Sequence, residues 1–304
     1  MIVVCGEALI DRIRNGEDRM LPGGSPFNTA RALARLGVSA AFLGHISSDE
    51  AGHPIATALQ SDGVDRRYVT VGSEPTTTAV AYVDAGGVPD FRFVTDGTSA
   101  PNLTPAMVPD EFDADVEALV VGSLGLLLEP MADTIAGLAR REHGKRVLVV
   151  DPNVRAGVSA GAAYTARLAE VLSLSTIVKA SDYDLAWVYP DLEYEAAADA
   201  LLSSGPRLVV VTLGEDGAYA AHHDLRIRVP ARPVQVVDTI GAGDAFGAAL
   251  LCWLREHDQL RLELALEEAE LRAALEFACL AAAIECSRGG GDPPRRAEMD
   301  HPPI

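Results

Sequence analysis

Between Glu117 and Thr212 the sequence alternates short β-branched runs with helical segments, and few folds accept that pattern. The runs are Ala118–Val121, Arg146–Val150, Thr176–Val178 and Leu208–Thr212. Helical spacing covers Met131–Arg141, residues near 162–172, Asp182–Val188 and Glu193–Leu202. The runs are apolar throughout rather than alternating, as expected of strands buried on both faces. Strands joined through helices predict a mainly parallel sheet with helices on both sides. Polar residues recur just past the strand ends: Asp151, Asn153 and Arg155, then Lys179 and Ser181, then Thr212 and Gly214. In an open α/β sheet those ends face one crevice, where ligands bind.

A second stretch carries the chemistry. Val236–Leu251 reads VVDTIGAGDAFGAALL. Val234, Val236 and Val237 predict a strand end, and Ala245–Leu254 predicts a helix apolar nearly all round, hence buried. Between them Gly241-Ala242-Gly243-Asp244 predicts a tight turn at the helix N-terminus. Unpaired N–H groups and the positive end of the helix dipole meet there, which suits a phosphate. Asp244 would stand at its mouth. A lone G-x-G-D is more often just a turn with an N-terminal acid; the apolar helix behind it favours a site.

The N-terminal third adds a second candidate helix start. Ile2–Ile10 predicts a buried first strand closed by Asp11, either a crevice acid or a solvated loop acid. In GGSPFNTARALARLG (Gly23–Gly37), Ser25 suits the N-cap and Pro26 the first helical position. Gly23 and Gly24 then lie at a helix N-terminus, with Asn28 on the first turn. Asn28 offers a donor and an acceptor to a sugar hydroxyl, or simply faces solvent. Ala40–Ile46 predicts a strand and Glu50–Ser61 a helix. Arg12–Leu21 and the hairpin Thr76–Val83/Pro89–Val94 interrupt the βα series. They predict a small lid sheet over about 12–22 and 76–95. Toward the end come antiparallel edge structure over Ala218–Val229, one or two helices over Leu262–Cys286, and a flexible tail over 292–304.

Composition narrows the partners. A net charge of −19 argues against nucleic acid and anionic membranes, though not against an anion in a local pocket. The longest apolar run, Ala118–Leu128, is too short to span a bilayer. The four cysteines show no C-x-x-C spacing, and no signal peptide opens the sequence. These features predict a cytoplasmic protein. The P-loop pattern, the protein-kinase set and a G-x-G-x-x-G after the first strand are all missing, which weakens a nicotinamide enzyme.

DTIGAGDAFGAALL and GGSPFNTARALARLG resemble the two signatures of the ribokinase-like (PfkB) carbohydrate kinases. CGEALID, DPNVR (Asp151–Arg155), VTLGEDGA (Val211–Ala218) and AAAIECSRGGGDPPRR resemble their bacterial fructokinase branch. The resemblance covers essentially the whole chain. It implies a three-layer α/β/α sandwich with a small β-sheet lid, forming one kinase domain over 1–304. It makes Asp244 the base for a sugar hydroxyl, and Gly241, Ala242 and Gly243 the anion hole. Asp11, Gly23, Gly24, Asn28 and Arg155 fall at sugar positions. Lys179, Ser181, Thr212, Gly214, Gly217 and Cys286 fall near ATP. Mg²⁺ would ride with ATP near Asp184, and a K⁺ site would involve Asp238 and Ile240. Lids of this kind also imply a homodimer. Two departures stand out: Ser181-Asp182-Tyr183-Asp184 replaces N-x-x-E, and Ile240 replaces a frequent threonine.

The expected activity is ATP-dependent phosphorylation of fructose. Alternatives are 2-keto-3-deoxygluconate, with Arg12, Arg14, Arg92 or Arg155 meeting its carboxylate, another ketose or a nucleoside. A non-catalytic sugar-binding protein is the alternative of a different class.

Overall fold

The computed structural model describes residues 1–14, 18–83, 89–155 and 161–302. The chain runs β1 (Ile2–Cys5), β2 (Leu9–Arg14), β3 (Asp18–Gly23), α1 (Ser25–Arg35), β4 (Ala40–Ser47), α2 (Gly52–Ser61) and β5 (Asp65–Gly72). Next come β6 (Thr78–Val83), β7 (Pro89–Val94), β8 (Ala118–Gly122), α3 (Met131–Glu142), β9 (Val147–Asp151) and α4 (Ala162–Leu174). Then follow β10 (Ile177–Ser181), α5 (Asp182–Val188), α6 (Tyr194–Ser203), β11 (Leu208–Thr212), β12 (Ala218–His222) and β13 (Leu225–Val229). Helices α7 (Ala242–Glu256), α8 (Glu268–Cys286) and α9 (Arg296–Asp300) complete it.

Nine strands form one sheet in the order β13-β12-β11-β10-β9-β8-β1-β4-β5. It is parallel from β11 to β5, and β12 and β13 add an antiparallel edge. Successive strand residues point to opposite faces. Thus Ile2, Val4, Phe42, Val149 and Val210 pack with Leu33, Ile55, Leu250 and Leu275 of α1, α2, α7 and α8. Val3, Leu43, Val121, Val150 and Val209 pack with Ile135, Leu168, Leu185 and Leu201 of α3–α6. These are the three layers that the apolar runs predict. Among the described residues no helix is long and apolar enough to cross a membrane.

The second sheet is β3-β2-β6-β7. Its inner residues Leu9, Ala79 and partly buried Phe93 pack on Leu124, next to β8. Residues 15–17 and 84–88 of the expected lid segments lie outside the described residues.

Several expectations are corrected. Ile2–Ile10 is not one strand. Gly6 takes φ +147, a side chain there would strike Pro26, and the chain crosses into the second sheet. Asp11 therefore sits in β2, not at the end of a main-sheet strand. Ser25 is not the N-cap: Gly24, with φ 105, holds that position, and Ser25 begins the helix. Val234–Val237 forms no strand, and Val236 and Val237 are exposed. Helix α7 starts at Ala242, so the turn is the helix's own first turn. β5 is an additional strand whose half-exposed pattern carries little signal. The stretch read as a tail carries α9, where Met299 is buried and Arg296 pairs with Glu256 at 2.7 Å.

Candidate active site

Helix α7 lies between α1 and α8, and its residues from Asp244 to Leu254 are buried apart from Gly247. Gly241 caps it in the left-handed region, φ 82, which a side chain would strain. The Ala242 N–H turns back on the Thr239 carbonyl at 3.3 Å, a long bond. A first helical turn leaves its other N–H groups without intrahelical acceptors, so the positive helix end stays open to an anion.

Asp244 is two residues beyond Ala242, just after Gly243. The Ser25 hydroxyl donates to its Oδ1 at 2.6 Å and the Asn28 amide to its Oδ2 at 3.0 Å. Both donors come from the first turn of α1, so the two glycine signatures converge on one carboxylate. Burial raises the Asp244 pKa. Ser25, Asn28 and the Lys179 and Arg155 charges pull it back down, but only in part. The result is a better proton acceptor than an ordinary aspartate, poised for base work.

Two further buried acids, Glu7 and Asp11, lie close enough to Asp244 to feel its charge, and glycines make room for them. A Cβ on Gly23 would lie 1.9 Å from Asp11 Oδ2, and one on Gly24 would lie 2.8 Å from the Glu7 carbonyl. Burial raises Asp11 to about 6, with Arg155 lowering it and Asp244 raising it. Glu7 is raised by burial to about 7 and accepts the Gly125 N–H at 3.2 Å. Sequence reasoning missed Glu7, which sits mid-run in an apolar stretch; a charge there was the available signal. Exposed Arg155 is the cation whose field reaches Glu7, Asp11 and Asp244 together. Of the other arginines considered for a sugar acid, the Arg14 side chain lies outside what the structure describes.

On the other side of α7 opens a cavity of about 570 Å³. Thr212, Gly214, Gly217 and Cys286 line it together, and it reaches Ala242 and Gly243. Val234, Val236, Phe246, Cys279 and Ala282 supply an apolar wall, suited to a flat base. The helical members of this wall, Phe246, Cys279 and Ala282, carry no sequence signal, since apolar residues on a helix read as core.

Lys179 and Ser181 are not part of that wall. Lys179 Nζ pairs with Asp151 Oδ2 at 2.8 Å beneath the turn. Ser181 and Asp184 form a reciprocal helix cap: Asp184 Oδ2 accepts the Ser181 N–H and hydroxyl, each at 2.7 Å. Asp184 Oδ1 accepts the Val154 N–H at 2.7 Å. Asp184 thus has a structural role as the cap of α5. Asp238 and Ile240 are brought together: Asp238 accepts the Ile240 and Gly290 N–H groups, each at 3.0 Å. Among the described residues no group of three or more His, Cys, Asp or Glu could hold a metal.

An anion-receptive helix start, a buried acid one residue on, a large cavity beside it and a cluster of buried acids around it suit a phosphotransferase acting on a hydroxyl. Residues 1–297 match the pfkB family carbohydrate kinases. The chain is 37% identical over 281 residues to a fructokinase of Rhizobium leguminosarum bv. trifolii, spanning 90% of this chain and 86% of the relative. It superposes on fructokinase from Vibrio cholerae O395, solved with fructose, ADP and calcium, at TM-score 0.86 and 26% identity, over 98% of this chain and 97% of that one. With an ATP-bound fructokinase from Xylella fastidiosa it shares the fold, at TM-score 0.89 and 24% identity over 98% and 96% of the two chains. The chain belongs to the pfkB family of carbohydrate kinases and has the ribokinase-like fold.

Proposed function

We propose that the chain is an ATP-dependent fructokinase, moving the γ-phosphoryl of ATP to the 6-hydroxyl of fructose. The observation that carries this is Asp244, held by Ser25 and Asn28 directly after Ala242 and Gly243, which line the nucleotide-sized cavity. Asp244 accepts the hydroxyl proton. The first turn of α7, Gly241–Gly243, receives the charge that builds on the transferred group, a term that is usually large. Asp11, Gly23, Gly24, Asn28 and Arg155 hold the sugar. Thr212, Gly214, Gly217 and Cys286 border the nucleotide. The fructokinase relatives, and the fructose and ADP held by the Vibrio cholerae enzyme, support this substrate pair.

The cluster of acids around Asp244 supports a neutral sugar over a sugar acid. Glu7, Asp11 and Asp244 lie within one another's electrostatic reach, and Arg155 is a counter-charge to all three, so a substrate carboxylate would compete with these acids for it. Mg²⁺ arrives with the ATP phosphates rather than in a protein cage, and K⁺ is the ion that would sit by Asp238 and Ile240. The second sheet acts as a lid over the sugar. Its exposed Met20 and Val94 suit pairing of two lids in a cytoplasmic homodimer.

The test is coupled ADP release with fructose, other ketoses, 2-keto-3-deoxygluconate and nucleosides. Fructose should give the highest kcat/KM. A higher value for 2-keto-3-deoxygluconate or a nucleoside would overturn the substrate. Sugar-induced thermal stabilisation without ADP release from any sugar would overturn the activity.

A further inference from the structure

Helix α8 delivers one more acid to the start of α7. Glu285, in its last turn, is buried, and neither carboxyl oxygen has a hydrogen-bond partner among the described residues. Its Oε1 lies 2.8 Å from where a Cβ on Gly241 would stand, so the carboxyl touches the residue that caps α7. The Cα of Gly291, on the loop after α8, lies 3.5 Å from the same point. A side chain at 241 would displace this carboxyl.

Leaving a buried polar group without a partner is costly, and leaving a buried charge without one is far more so. The charges that face Glu285 are Asp244 from α7, Arg31 from α1, and Arg288 and Asp292 from the loop after α8; Cys286 is its neighbour in α8. Both arginines are engaged elsewhere, Arg31 with Asp62 at 2.7 Å and Arg288 with Glu298. The carboxyl is therefore accommodated neutral, with an O–H that has no acceptor in the fold. Burial, then Asp244 and Asp292, favour that form. Beside it stands a helix start that receives an anion, and the oxygens of a phosphoryl group are acceptors.

We propose that Glu285 is a further catalytic residue, whose protonated carboxyl donates a hydrogen bond to the phosphoryl group at the Gly241–Gly243 turn. This rests on the kinase reading above. A carboxylic acid kept neutral by its surroundings can serve as a donor to charge that builds during a reaction. In the step, the sugar oxygen bonds to phosphorus, its proton passes to Asp244, and the β–γ bridging oxygen leaves with ADP. Glu285 keeps its proton throughout.

Glu285→Met removes the donor at similar size, whereas Glu285→Gln replaces it with an amide N–H. The Met variant should lower kcat about 10²- to 10³-fold, as loss of one anion-hole donor does, with KM for fructose nearly unchanged, and the Gln variant should stay within about tenfold of wild type. Wild-type kcat should fall as pH rises beyond about 8, where the carboxyl loses its proton, and the Gln variant should keep its kcat there. The comparison of wild type with Gln stands even where Glu285→Met fails to fold. A Met variant within about threefold of wild type, or alkaline limbs that coincide in wild type and Gln, overturns the proposal while fructose phosphorylation by the wild type stands. A KCl titration in which the Gln variant loses an activation shown by the wild type also overturns it, by making Glu285 a cation ligand. A wild type inactive on every sugar overturns instead the kinase reading beneath it.

Discussion

The Ser25 hydroxyl donates to Asp244 Oδ1 at 2.6 Å across 219 positions of sequence. The bond joins the first turns of α1 and α7, and Asn28 doubles it on the other carboxylate oxygen. Two helix starts, each opened by glycine, therefore aim one acid. Both donors favour the ionised form, the form a base must have.

Ser25→Ala follows directly. Removing one donor should raise the Asp244 pKa further, so activity, which is lost as pH falls through that value, should be lost at higher pH than in wild type. A hydrogen bond to a charged group contributes about 1.5–3 kcal/mol, so kcat at neutral pH should fall roughly 10- to 100-fold. A pH series of kcat/KM checks it, and an unmoved acid limb would remove Ser25 from the site.

Asp244→Asn keeps the size and loses the base. General-base catalysis contributes about 10²- to 10⁴-fold, and kcat should fall by that factor. ATP affinity should hold, because the nucleotide cavity lies on the far side of the turn. Coupled ADP assay and calorimetric ATP titration separate the two effects, and near-normal turnover would rule out Asp244 as the base.

The same two helices show how much could be read beforehand. Alternating strands and helices after Glu117 gave the sheet, since residues buried on both faces leave continuous apolar runs. The signatures around Gly24 and Asp244 gave the site, since anion binding at a helix start needs glycine and leaves it visible. What stayed hidden depends on distant partners. Ser25 looks like a cap until Asp244 is placed beside it. Gly6 looks like a strand residue until Pro26 blocks any side chain there. Asp184 shows its capping role only once Ser181 and Val154 are placed against its oxygens.

Gly23→Ala tests the sugar pocket. No left-handed backbone protects this glycine, so alanine fits the chain locally, and the penalty comes from Asp11 Oδ2, 1.9 Å from the new Cβ. Asp11 must move. A misplacement near 1 Å costs up to about 10²-fold, and the loss should appear in KM for fructose while KM for ATP holds. Steady-state kinetics with each substrate varied decides it. A normal KM for fructose would mean that Asp11 does not grip the sugar.

Glu285 gives a prediction about stability rather than rate. It is 2% exposed, both its oxygens lack a hydrogen-bond partner among the described residues, and its Oε1 lies 2.8 Å from where a Cβ on Gly241 would be. Burial raises its pKa to about 8 from 4.5, helped by Asp244 and Asp292 and opposed by Arg288 and Arg31. The folded chain thus holds this proton more tightly than the unfolded chain. The associated stabilisation is complete below pH 4.5, shrinks as the unfolded carboxyl ionises, and is gone once pH has risen through about 8. Glu285→Gln carries a permanently neutral group and escapes that loss. Thermal melts without ligand at pH 5, 7 and 9 should show the variant's Tm advantage growing with pH and levelling off above about 8. An advantage that is the same at all three values would mean that Glu285 is already ionised in the fold, sharing the Gly241 turn with the anion that the turn is built to receive.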